Sequence, residues 1–305
     1  METLILPSQK NGWALTNRLK IAGFMKLFPK ILFLASLSCV LITVSIFLFM
    51  VALGFPLFKE GLFFSGLVQL WNPDKGVYGI FPMIIGTFLI AFTGVAIAFP
   101  VSLGCASLVT GIAGRKVTVV LKRTVELMTG IPTVVYGFVG VFLLVPVMRE
   151  FFESGSGMCI LSAAIMLALL ISPTMIIVFT ESFNQIPFET RLAVDAMGGT
   201  RTQKFLYLIL PSSYRGIANG LVLALGRAAG DTMIALMIAG NSVAIPGSLL
   251  DSARSLTSHI ALVIAADFQS LEFKTLFSCG IVLYLFSATM VLIIRLISSK
   301  GNRKI

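Results

Sequence analysis

Six stretches of this chain, about 31–57, 80–112, 124–148, 158–183, 216–240 and 273–298, are apolar and carry few charges. A helix of about 20 apolar residues crosses the ~30 Å hydrocarbon layer of a bilayer, where each backbone polar group must find its partner inside the structure. The composition agrees: 57% of residues are hydrophobic and 12% charged, against about 25% charged in an ordinary soluble domain. The chain therefore reads as one all-α integral membrane domain with six crossings.

Charge sets the direction of those crossings. The net charge of +10 is spread in clusters beside the apolar stretches, which excludes a nucleic-acid-binding arm and fits membrane topology. The 80–112 stretch is long and holds Pro100, so a break or kink is expected there, and it counts as one crossing. The basic connection after it (Arg115, Lys116, Lys122, Arg123) then falls inside, together with the basic start (Lys10, Arg18, Lys20, Lys26, Lys30) and tail (Lys300, Arg303, Lys304). The 58–79, 149–157 and 241–272 connections fall outside. The expected division is a cytoplasmic segment 1–30, a membrane domain 31–298 and a cytoplasmic tail 299–305. The first apolar run exceeds a signal-peptide core of roughly 7–15 residues and reads as an uncleaved anchor.

Several chemistries lack their residues. Cys39, Cys105, Cys159 and Cys279 have neither CxxC nor metal-ligand spacing and read as small buried hydrophobes, so no metal site and no cofactor are expected. Gly111-Ile112-Ala113-Gly114-Arg115-Lys116-Val117 lacks the spacing and the Ser/Thr of a phosphate-binding loop. An intramembrane aspartyl protease needs a second Asp that no other span supplies. His259 has no Ser or ligand set around it, and with Asp251, Arg254, Asp267 and Glu272 it is expected to be solvated loop charge.

Two features point to a site. Pro187 to Arg201, within a connection of about 184–214, reads as helix, break, helix: Leu192, Ala193, Ala196 and Met197 share a face, and Gly198-Gly199 ends the first helix. Such a helix either lies on lipid or docks into a cytoplasmic partner. Within the fifth stretch, Arg227 sits where a cation is costly and Asp231 follows four residues later, so the two are expected to pair on one helical face, either as a structural lock or as lining of a transport path. Glycines at 130, 137, 140, 216, 220, 226 and 230 are expected to let helices approach closely.

The Pro187–Pro211 segment resembles the "EAA" loop of permease subunits of binding-protein-dependent ABC importers. Gly198, Leu210 and Pro211 match, Ala193 and Val194 match loosely, and Leu192 replaces the usual Glu. From Trp71 onward, Tyr78-Gly79-Ile80-Phe81-Pro82, Gly86-Thr87, Gly130-Ile131-Pro132-Thr133-Val134-Val135-Tyr136-Gly137 and Gly226-Arg227-Ala228-Ala229-Gly230-Asp231-Thr232-Met233 are similar to phosphate-importer permeases, with Asp231 where Glu is usual. Met233 and Gly240-Asn241 favour the PstC type.

The resemblance implies a six-transmembrane-helix, type I ABC importer permease fold in a bacterial plasma membrane. It also implies an ATPase dimer (PstB-like) docked on Leu192, Ala193, Val194, Ala196, Met197, Gly198, Gly199 and Arg201. A second permease (PstA-like) and an outer phosphate-binding protein (PstS-like) would complete the assembly. Arg227 and Asp231 would line the path. A permease for another oxyanion, such as tungstate or molybdate, and a dimeric secondary transporter stay open.

Overall fold

A computed structural model describes residues 7–59, 66–153, 155–267 and 270–299. It divides into two compact units, Met1–Ala52 and Leu53–Ile305. Helix α1 (Pro7–Lys59) runs for 53 residues, so the basic segment before residue 30 is already helical from Pro7. Its apolar part, Phe28–Phe55, is long enough to cross a membrane, and Cys39 on it is exposed, against the expectation of a buried thiol. The tail cations Lys300, Arg303 and Lys304 lie outside the described residues.

The second unit opens with a short antiparallel hairpin, β1 (Trp71–Asn72) and β2 (Val77–Tyr78), with Trp71 opposite Tyr78. The helices α2 (Phe81–Ile112), α4 (Thr133–Phe152) and α5 (Ile160–Asn184) follow, each long and apolar enough to span, with α3 (Arg115–Thr129) between the first two. Next come α6 (Phe188–Ala196), α7 (Arg201–Ser212), α8 (Tyr214–Gly230), α9 (Met233–Ile238), α10 (Leu256–Val263) and the last span, α11 (Leu271–Ser299). Helices α7 and α8 meet at a 67° bend, and counted as one broken span they bring the candidate crossings from five to six. Pro211 deprives that bend of one backbone donor.

Three boundaries differ from the sequence reading. The third crossing starts at Thr133, not at 124: Gly130, Ile131 and Pro132 end α3, an amphipathic helix that carries the basic cluster. The fifth crossing stops at Gly230 and restarts at Met233. Helix α2 passes through Pro100 without interruption and becomes irregular only at Leu108–Ile112, a wider turn in which Gly111 takes φ +134°.

Helix α5 is the axis of the packing. Leu167, Ile171, Met175, Phe179 and Phe183 recur every four residues and are all fully buried. Helices α2 and α8 press on it, and small residues set how close they come. A Cβ on Gly216 would overlap Ser182 Oγ, and one on Gly220 would stand 2.6 Å from Phe179 Cε1. Gly137 and Gly140 play the same part for α4, where Met237 and Ile238 fill the space a side chain would take. By contrast, Gly226 and Gly230 face open space and Gly130 meets only the Leu127 carbonyl of the helix it ends, so three of the glycines expected to pack helices together inside the chain do not.

Candidate functional site

The segment between α5 and α8 folds as helix, break, helix. Pro187 precedes α6, and at its other end the Gly198 and Gly199 N–H groups donate back to Asp195 and Val194 carbonyls, with Gly198 at φ +79°. This is the left-handed conformation that a Cβ disfavours. Thr200 then caps α7 in a reciprocal box with Gln203. An ion pair between Lys204 and Asp195 ties α7 to α6, and Arg191 donates to the Phe183 carbonyl at the end of α5.

No residue of α6 is buried. Leu192 is 53% exposed, Met197 88% and Phe188 71%, so the apolar stripe read from the sequence stays largely uncovered. Ala193, Ala196 and Arg201 are exposed beside it, and Val194 is half-buried under Gly199. Burial of such side chains on an assembled surface is the usual reason to leave them out of a core. Behind the segment, a cleft of about 660 Å³ is bordered by Glu181, Gln185, Thr190, Arg215 and Asn219.

The second element lies at the end of α8. Arg227 is 13 residues from Tyr214, roughly 20 Å along the helix axis. It lies on the flank of α8 near the exposed Leu223 and Gly230. Its Nη1 donates to Thr174 Oγ1 of α5 at 3.1 Å, leaving most of the guanidinium donors available to a further group.

Asp231 does not pair with Arg227 as expected. The helix has ended at Gly230, Asp231 takes an extended backbone (ψ 129°), and its Oδ2 accepts the Ile234 N–H at 2.9 Å, capping α9. An Asp three residues before a free helical N–H satisfies a donor that the helix itself leaves open. The Gly230-Asp231-Thr232 run carried that signal, because Gly weakens a helix and Asp favours a cap over an interior. The pair thus remains close in the chain while each side chain serves a different helix.

Sequence reasoning missed the packing around α10. His259, expected in solvent, is fully buried, with its ring edge-on to Trp71 at 4.7 Å. Arg254 Nη1 lies 3.5 Å from His259 Nδ1, and Thr275 Oγ1 lies 3.3 Å from Nε2. Burial, and then the Arg254 charge, push the His259 pKa down to about 4. Asp251 is no free charge either: its Oδ2 accepts the Gly247 and Ser248 N–H groups at 2.8 and 2.9 Å.

The family described as "Binding-protein-dependent transport system inner membrane component" matches residues 100–303. The chain belongs to that family. A probable ABC transporter permease protein, YqgH of Bacillus subtilis, is 34% identical over 75% of this chain and 75% of its own length. The phosphate transport system permease protein PstC of Xylella fastidiosa is 32% identical over 77% and 78%. The probable PstC of Methanocaldococcus jannaschii is 30% identical over 72% and 76%. Among solved structures, the inward-facing MetNI methionine ABC transporter covers 72% of this chain with a TM-score of 0.53 and 20% identity. A bacterial ABC transporter that imports alginate covers 97% with a TM-score of 0.58 and 14% identity. These likenesses carry the fold: a multi-pass permease-type membrane subunit of the kind found in type I ABC importers.

Proposed function

We propose that this chain is the PstC-type permease subunit of an ATP-driven importer of inorganic phosphate in the bacterial plasma membrane, with both termini in the cytoplasm. The observation that supports this is the guanidinium of Arg227 on an open flank of α8, a position we read as membrane depth, in a chain whose family relatives include several phosphate permeases. A cation at that depth costs roughly 2.5–3.5 kcal/mol on insertion scales, and one hydrogen bond to Thr174 does not offset that. A planar five-donor fork on that flank suits a tetrahedral oxyanion passing between this subunit and a second permease.

Asp231 contributes selectivity. Ionised, it accepts hydrogen bonds only, so it favours a phosphate bearing a P–OH proton and repels sulfate. Asp231→Asn should narrow the advantage of phosphate over sulfate in competition uptake; unchanged discrimination would leave this carboxylate a helix cap alone.

The exposed stripe of α6, with Gly198, Gly199 and Arg201 around its end, docks into a separate ATPase dimer that hydrolyses ATP, since the chain has no phosphate-binding loop of its own. The open face at Gly226, Arg227 and Gly230 receives a PstA-like permease, and a PstS-like protein delivers substrate from outside. Alternating access follows when the ATPases close and pull on α6. A tungstate or molybdate permease would present the same cation, so the deciding experiment is ATP-dependent uptake of labelled phosphate into vesicles holding the complex, with each oxyanion as competitor. Preferential competition by tungstate or molybdate would replace the phosphate assignment.

A further inference from the structure

The break after Gly230 is held from the outer segment. The stretch leading into α10 folds back beside α2, where Gly86 leaves room: a Cβ there would overlap the Arg254 carbonyl oxygen. Next to it, the buried Thr87 hydroxyl donates to the Met83 carbonyl and accepts the Leu256 N–H, both at 2.8 Å. Ser255 and Ser258 cap the start of α10 reciprocally, and all three polar residues from Ser255 to Ser258 are buried. The Gly86-Thr87 motif therefore fixes the first turn of α10 in place.

That turn reaches Asp231 through a hydrogen bond. Thr257 Oγ1 donates to the backbone carbonyl of Asp231 at 2.8 Å. The carbonyl lies where α8 has stopped, and the same residue's side chain caps α9. Fixing the peptide after Asp231 fixes the direction in which its carboxylate leaves the chain, because only the side-chain torsions remain free. Outer loop, break and carboxylate form one hydrogen-bonded unit.

We infer that Thr257 is a positioning residue for the anion path: its hydroxyl, anchored to α2 through Thr87 and Gly86, sets the Asp231 peptide and couples the outer segment to the permeation site. This rests on the reading of Arg227 and Asp231 as path residues. An outward movement of α10 would release the Asp231 carbonyl, so opening on the outer side and reorientation of the carboxylate occur together.

The test uses the complete complex in vesicles, with ATP hydrolysis and labelled phosphate uptake read on the same sample. Thr257 Oγ1 also lies 2.9 Å from Ser255 Oγ, which keeps Ser258 as a partner when the hydroxyl is removed; loss of the hydrogen bond to the Asp231 carbonyl corresponds to about a five- to tenfold change. Thr257→Val should lower uptake by that factor while ATP hydrolysis and the amount of assembled complex stay at wild-type values, and Thr257→Ser should restore uptake. In an Asp231→Asn background, Thr257→Val should add no further loss if the two act through one another. Unchanged uptake in Thr257→Val, a parallel fall of uptake, hydrolysis and assembly, or an undiminished effect in the Asp231→Asn background would each overturn the inference. Arg227→Ala run alongside separates the two levels: retained uptake there would sink the path reading, whereas its loss beside a neutral Thr257→Val would sink the positioning role alone.

Discussion

Acid should loosen the packing of α10 through His259, and the structure sets both sign and size. A guanidinium only donates, so Arg254 requires Nδ1 of His259 to accept. Nε2 then carries the proton and faces Thr275 Oγ1, whose own hydroxyl donates to the Glu272 carbonyl. All these partners are satisfied by the neutral ring. A second proton would sit on Nδ1 against Arg254. With the folded pKa near 4 against the ordinary 6.5, the unfolded chain takes up a proton first as pH falls. The stabilisation is complete above 6.5 and is lost on descent toward 4, below which the folded chain protonates too. The loss is about 2.5 kcal/mol at pH 4.5, within a limit of about 3.4 kcal/mol. That corresponds to roughly 5–10 °C in melting temperature for a domain of this size. The assay is thermal unfolding of the purified protein in detergent from pH 7 to 4.5, compared with His259→Gln, which can still accept from Arg254 and donate to Thr275. The reasoning predicts a steeper acid fall for the wild type by that amount. Parallel curves would refute it.

Other outcomes follow from the packing and the exposed surfaces. Gly216→Ala forces a methyl group onto Ser182, whose side chain is too short to move aside, and should cost about 1–3 kcal/mol as overpacking; thermal unfolding reads it, with Gly226→Ala as a control that meets nothing within 4 Å in this chain. Met197→Asp or Leu192→Asp, both on exposed positions of the α6 stripe, should leave the melting temperature within a degree or two while abolishing co-purification of the ATPase. Asp195→Ala removes an ion pair that is half-exposed on its acidic side and should cost under about 1 kcal/mol, visible as a small shift in the same melting assay.

The spans were legible because hydrophobicity and charge act over long windows. The α6 break was legible because Gly198 and Gly199 are strong local punctuation. The end of α8 was not, since the i,i+4 spacing of Arg227 and Asp231 suggested a pair, and the competing preference of Asp for a helix cap decided the geometry instead. The start of α4 was misplaced because the apolar face of the amphipathic α3 adjoins it in sequence, and Gly130-Ile131-Pro132 marks a change of helix. His259 and Thr257 were invisible for a different reason. Their roles depend on contacts with Trp71, Thr275 and Asp231, and nothing local in a mixed polar loop announces that it folds inward.

Arg227 carries the central claim of the proposal, in which a passing anion offsets the cost of inserting its guanidinium. The decisive measurement is ATP-driven uptake of labelled phosphate by vesicles containing the assembled complex with Arg227→Ala, normalised to the amount of complex present. The account predicts uptake at background with assembly intact. Uptake at the wild-type rate would contradict it.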